Sequence, residues 1–265
     1  MSKNAVSTFD SVRNLARWSS NQDESETTVY RRFAALLDIL LDSSNIKLID
    51  GESTSEATKA SIDLNRSIFG LGEQSHSFGR RIDLMLGIKH KKQRVEISSN
   101  EFKKTIASKD VVLKQQCKNL RTNACIIQQI IAKYKINTSV MVMDFVGSFG
   151  CLYMIKKTEE QFYIAKPVAK LAIPYNIDQL GGLEQTLSAL FQMRSFLIDQ
   201  SRHIHEAMIK QEAVNALHFP SLPSLPAASA STIGDTCNDV CCSDPYGLCL
   251  HSKRQIINCF KRTPS

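Results

Sequence analysis

Residues Gly79–Lys103 read GRRIDLMLGIKHKKQRVEISSNEFK. Two apolar, strand-like runs, Arg81–Ile88 and Arg94–Lys103, flank a short basic connection. In an extended strand alternate side chains share a face. Glu101 and Lys103 therefore point one way and Phe102 the other. Pairing of the two runs as a hairpin around Gly87–Gln93 carries Asp83, the one acid of the first run, toward them.

Two carboxylates and an ammonium meeting on a sheet have a specific chemical use. Carboxylate oxygens hold a hard divalent cation such as Mg²⁺. The cation polarises a phosphoryl oxygen and lowers the pKa of a bound water, while the ammonium steadies the charge that develops. Those are the requirements for cutting a phosphodiester without a covalent intermediate.

The spacing Asp–x17–Glu–x–Lys resembles the motif of the PD-(D/E)XK nuclease-like superfamily, with Ile82 standing where the motif has proline. The text GRRIDLML followed by VEISSNEFKK is also similar to a set of fungal proteins with that core, and the resemblance spans Glu24 to Tyr175. It implies a restriction-endonuclease-like α/β fold of order α-β-β-β-α-β, a mixed sheet flanked by helices, with extra C-terminal strands and a helix. It further implies Asp83 and Glu101 as ligands of Mg²⁺ or Mn²⁺ and Lys103 as the catalytic lysine. Related nucleases add a glutamate from the first core helix, here Glu26, and a polar residue of the helix after the motif. Gln115 and Gln116 both qualify for that role, and Gln115 is taken as the auxiliary candidate. Glu96 is a further auxiliary, although by parity it faces away from Glu101 unless the strand is bulged between them. A motif this short needs its context, a hairpin between two helices, to carry meaning.

Charge is unevenly placed. Residues 1–79 hold 8 Lys and Arg against 11 Asp and Glu, whereas residues 80–121 hold 12 against 4, within a chain of net charge +7. The basic excess coincides with the motif and the helix after it, which suits a polyanion. Arg80, Arg81, Lys104, Lys114, Lys118 and Arg121 are the candidate nucleic-acid contacts. The last three of these fall at i, i+4 and i+7, one stripe of a helix. The alternative function is an inactive nuclease-like fold used as a nucleic-acid-binding or protein-interaction module.

A length of 265 residues, with 43% hydrophobic and 22% charged residues, is that of a globular protein. No apolar run approaches the roughly 20 residues that span a bilayer. The N-terminus lacks the apolar core of a secretory signal, which gives an intracellular expectation, nuclear or cytoplasmic. Four segments are expected: a lead-in over 1–23, one domain over 24–217, a Pro/Ser/Ala linker over 218–236 and a Cys-rich tail over 237–265.

Within the domain, Glu24–Leu41 repeats apolar residues at helical spacing, with Glu26 on the face of Val29, Tyr30 and Phe33. Ser53–Arg66 reads as a helix capped by Ser53 with Glu56 three residues on. Ser67–Phe78 is assigned the sheet's first strand. Ser108–Tyr134 is a long helix, and Ser139–Val146 a buried strand carrying Asp144. Cys151–Ile155 and Gln161–Ala165 extend the sheet, and Gln179–Ala216 is a last helix with Leu183, Leu187, Leu190, Phe191, Phe196, Leu197 and Met208 as its apolar side. Asp144 reads as an acid bonded to backbone amides in preference to a further metal ligand. His203 and His205, at i and i+2 on a helix, point apart and make a poor pair of metal ligands. In the tail, Cys237, Cys241, Cys242, Cys249, His251 and Cys259 have spacings of no standard zinc finger, so disorder is favoured over zinc.

Overall fold

Helical and strand periodicities in the sequence lead to a layered α/β arrangement. The structure is a computed structural model and describes residues 25–49, 53–69, 78–91, 93–174 and 177–217. The lead-in, the linker and the Cys-rich tail with its zinc-ligand candidates lie outside the described residues. In chain order the elements are α1 (Glu26–Leu41), β1 (Ile46–Ile49), α2 (Glu56–Phe69), β2 (Leu84–His90), β3 (Gln93–Lys103) and α3 (Lys109–Tyr134). There follow β4 (Ser139–Val146), β5 (Phe149–Lys157), β6 (Tyr163–Ala172), a 3-10 turn (Ile177–Gly182) and α4 (Leu183–Leu217).

One six-stranded sheet has the order β1-β2-β3-β4-β5-β6. Neighbours are antiparallel except β3 and β4, which run parallel. Parallel strands need a crossover connection, and α3 supplies it. The expected meander, second helix and following strand are thus all present. The first strand is a correction. It is Ile46–Ile49, directly after α1; Ser67–Phe69 complete α2 instead, and residues 70–77 lie outside the described residues. Four residues with one polar alternation gave too weak a pattern to read as a strand.

Packing fixes α1 against the end of β3 that bears the motif. Phe102 is fully buried and stacks on Phe145 of β4 with centroids 5.3 Å apart. Phe33 of α1 lies 4.5 Å from Phe145, and Tyr30 meets Phe102 edge-on at 5.4 Å. Removing such a ring typically costs about 3–5 kcal/mol. The C-terminal end of α1 is held by Arg194 of α4, whose Nε donates to Leu40 O at 2.8 Å and Nη2 to Ser43 Oγ at 3.1 Å. That cation satisfies a carbonyl the helix leaves open. In α4 the buried stripe runs through Ala189, Leu190, Met193, Leu197, Ile204 and Met208, whereas Phe191 is exposed, contrary to its expected place inside.

The polar run Ser98–Asn100 sits in a strand that is buried almost end to end. Its explanation is the β3–β4 seam. Ladder pairing there covers only Glu101–Asp144, Phe102–Phe145 and Lys103–Val146. Beyond it the strands diverge and side chains take over the backbone partners. Ser98 Oγ donates to Met141 O at 2.7 Å, and Met143 N donates to Asn100 Oδ1 at 2.9 Å. Buried backbone groups must find partners, and small polar side chains provide them. Gly147 closes the same seam. Its N donates to Lys103 O at 2.7 Å, its φ is +59°, and an added Cβ would stand 2.3 Å from Thr105 Oγ1.

Candidate functional site

Glu101 and Phe102 alternate as strand geometry demands, Glu101 toward α3 and Phe102 toward α1. Lys103, the last residue of β3, reaches the first turn of α1 at the end of the sheet. Its ammonium donates to Glu26 Oε1 at 2.8 Å and to Phe102 O at 2.7 Å, and lies 3.9 Å from Asp83 Oδ2. Asp83 precedes β2 and accepts a hydrogen bond from Phe102 N at 2.8 Å. Glu26, Asp83 and Lys103 therefore meet here, and Glu101 lies near enough to feel the charges of Asp83 and Lys103.

The electrostatics follow from burial. Glu101 is only 1% exposed. Burial, and then the neighbouring Asp83 charge, push its carboxyl up to about 7 against the pull of Lys118 and Lys103. For Lys103, burial pulls the ammonium down. The Glu26 hydrogen bond and the charges of Asp83, Glu26 and Glu101 outweigh it, so its pKa is held above the usual value. Lys103 is thus a fixed positive charge and not a base.

Lys118 is placed differently from its sequence reading. Instead of standing free as a nucleic-acid contact beside Lys114 and Arg121, its ammonium straddles the Glu101 carboxylate, 2.8 Å from Oε1 and 3.1 Å from Oε2. Its neighbours Lys114 and Arg121 are exposed, as are Arg81 and Lys104. Arg80 is half-buried and donates from Nη1 to Lys118 O at 3.3 Å.

Glu96 does not join the cluster. A bulge does lie between Glu96 and Glu101, a register shift opposite Leu86 and Gly87 that passes over Ile97. The carboxylate is nonetheless committed to the start of α2. It accepts from Ser55 Oγ at 2.7 Å, Glu56 N at 2.6 Å and Ala57 N at 3.3 Å. Ser55 Oγ itself caps Thr58 N at 3.2 Å, so the helix begins at Ser55 and not Ser53. Anions at a helix N-terminus satisfy its open amides and its dipole.

Asp144 lies beside Glu101 in the parallel register and is 1% exposed. It is bonded to side chains, not to the backbone amides expected from the sequence. Asn119 Nδ2 donates to Oδ1 at 2.9 Å, and the Tyr153 hydroxyl donates to Oδ2. Burial raises Asp144 to about 6, against those hydrogen bonds. Asn119 also accepts from Ser99 Oγ at 3.0 Å and from Asn123 Nδ2 at 2.8 Å. This network floors the site on its α3 side. Gln115 is buried close to Asp144, its amide outside hydrogen-bonding geometry. Gln116 lines a small pocket with Asp144, Cys151 and Tyr153. Asn119 carries the network in place of either glutamine. Its signal was present in sequence as Asn119 and Asn123 one turn apart facing a Ser-Ser-Asn strand; Tyr153 had none.

Far from this end, His205 stacks edge-on against His90 at 4.6 Å, and Glu212 pairs with Lys91 at 2.6 Å. His203 is exposed. Among the described residues no three His, Cys, Asp or Glu side chains form a metal-binding group, and no helix is long and apolar enough to cross a membrane. No family model, curated protein or solved structure matches the chain.

Proposed function

We propose that this chain is a metal-dependent phosphodiesterase acting on nucleic acid, built on a restriction-endonuclease-like core of the PD-(D/E)XK type. The observation that carries the proposal is the meeting of Lys103 with Glu26 and Asp83 at one end of the sheet, near enough to Glu101 for the charges of Asp83 and Lys103 to act on it, with Glu26 and Lys103 77 residues apart. The order helix, three antiparallel strands, helix and parallel fourth strand supports it, with α2, β5, β6 and α4 as additions.

The donors suit a hard cation. They are carboxylate oxygens, and Glu101 is buried near the like charge of Asp83, which together raise its pKa. Asp83 and Glu101 would hold Mg²⁺ or Mn²⁺, with water completing the shell. A bound ion of this kind polarises the phosphoryl oxygen and acidifies its water. Asp83 is steadied by Phe102 N, so its carboxylate is aimed before anything binds. Lys103, held by Glu26, presents a permanent ammonium to the charge that builds on the phosphate. Exposed Arg81, Lys104, Lys114 and Arg121 would meet neighbouring phosphates.

The test is cleavage of labelled single- and double-stranded DNA and RNA with Mg²⁺, Mn²⁺ or EDTA, beside Lys103→Ala. Metal-dependent cutting lost in the variant is expected. Binding without cutting would favour the second reading, an inactive fold used as a grip, which the closure of Glu101 by Lys118 favours.

A further inference from the structure

A buried carboxylate that is to receive a divalent cation has to be kept stable while the cation is absent. In this chain a side chain from another element fills that part. Lys118 projects from the middle of α3 and contacts both oxygens of Glu101, at 2.8 and 3.1 Å. Glu101 is 1% exposed and the Lys118 side chain 36%. One end of the pair is therefore buried and the other opens to solvent. Lys103 makes no such contact with Glu101; its short contacts are to Glu26 and Phe102 O.

We infer that Lys118 is a displaceable internal cation, occupying the Glu101 carboxylate until a divalent ion takes its place. The inference rests on the metal-dependent reading above and deepens it. Three observations support the assignment. The ammonium lies across the two oxygens of a proposed ligand. It is the only ammonium among the described residues that does so at this carboxylate. Its side chain is about a third exposed, so the head can swing outward without unfolding α3, whereas Glu101 has nowhere to go.

Displacement has a second consequence. The freed ammonium rises to the surface that holds Lys114 and Arg121, next to Arg80, whose guanidinium is bonded to the Lys118 carbonyl. Metal loading then adds one phosphate contact to the basic face. The same residue would close the empty site and grip the substrate in the loaded one. That couples metal binding to nucleic-acid binding through one side chain.

The experiment is calorimetric titration of Mn²⁺ into the intact protein without nucleic acid, at about pH 8.5 so that protons do not compete. Wild type is compared with Lys118→Met and Lys118→Gln, with melting curves to confirm that each is folded. Lys118→Met should bind Mn²⁺ tighter by about tenfold or more, the scale of a charge-assisted hydrogen bond that no longer has to be broken. Lys118→Gln keeps a donor without the charge and should fall between. Equal or weaker binding in Lys118→Met would overturn the displaceable-cation role while leaving the metal-dependent reading intact. Absence of Mn²⁺ binding in all three folded proteins would overturn that reading and the inference together. Should Lys118→Met fail to fold, Lys118→Gln alone decides by the same criterion.

Discussion

β3 carries two buried glutamates five residues apart, and the fold treats them in opposite ways. Glu96 accepts three hydrogen bonds from the start of α2, all of them from groups that would otherwise be open. Glu101 receives one ammonium and a second carboxylate as neighbour, and its pKa rises to about 7. Hydrogen bonds to a charged form favour it, and burial near like charge disfavours it. Glu96 is therefore stabilising as it stands, whereas Glu101 is kept at a cost. Proteins tolerate such a cost at sites that await a ligand.

The largest effect expected is at the costly end. Lys103→Ala should lower metal-dependent cleavage on the order of 10²–10³-fold, the usual loss for a preorganised charge-stabilising donor. Its melting temperature should move little, because the side chain is partly exposed and its pairs are solvent-screened. Steady-state cleavage beside a thermal melt checks both halves.

Next comes the structural end. Glu96→Ala leaves Glu56 N, Ala57 N and Ser55 Oγ without their acceptor, and should cost about 3 kcal/mol in a denaturant titration. Cleavage per folded molecule should stay near wild type. Loss of activity in a fully folded Glu96→Ala protein would break the contrast.

A pH series sharpens it. Glu101 has a native pKa of about 7 against 4.5 unfolded, so the native state binds the extra proton between those values. Stability from this group is greatest below about 4.5 and is lost as pH rises through 7. The span is about 3 kcal/mol at most. Asp144, raised from 3.8 to about 6, adds a slope of the same sign. Glu101→Gln should flatten the fall and leave the Asp144 part in place, as read from urea midpoints between about pH 4 and 8.

The smallest effect belongs to the exposed stripe. Lys114→Ala should leave stability unchanged and reduce the salt slope of nucleic-acid binding by about one. A slope identical to wild type would remove Lys114 from the interface.

Much of this arrangement was legible in the sequence because the signals were local. Asp83 comes within 3.9 Å of Lys103 because hairpin pairing follows from the Arg81–Lys103 text, whereas strand parity put Lys103 on the face of Glu101 and the structure turns it to Glu26 of α1. Glu26 was placed on the inward face of α1 by its spacing from Val29, Tyr30 and Phe33. The continuous apolar run of β4 matched its strand boundaries in full. What stayed hidden was long-range. Glu96 looked like a site auxiliary because the groups that donate to it come from the start of α2, 39 to 41 residues away. Lys118 looked like a nucleic-acid contact on a basic stripe because nothing local says that Glu101 lies beneath it. The first strand escaped because four residues carry too little period, and the chain enters the sheet there through tertiary pairing with β2.

The most direct measurement is Mg²⁺-dependent cleavage by Glu101→Gln beside Glu96→Gln, each melted from the same preparation. The expected outcome is a stably folded Glu101→Gln protein that no longer cuts, and a less stable Glu96→Gln protein that cuts like wild type. Cleavage by folded Glu101→Gln at the wild-type rate would contradict the assignment of Glu101 to the metal.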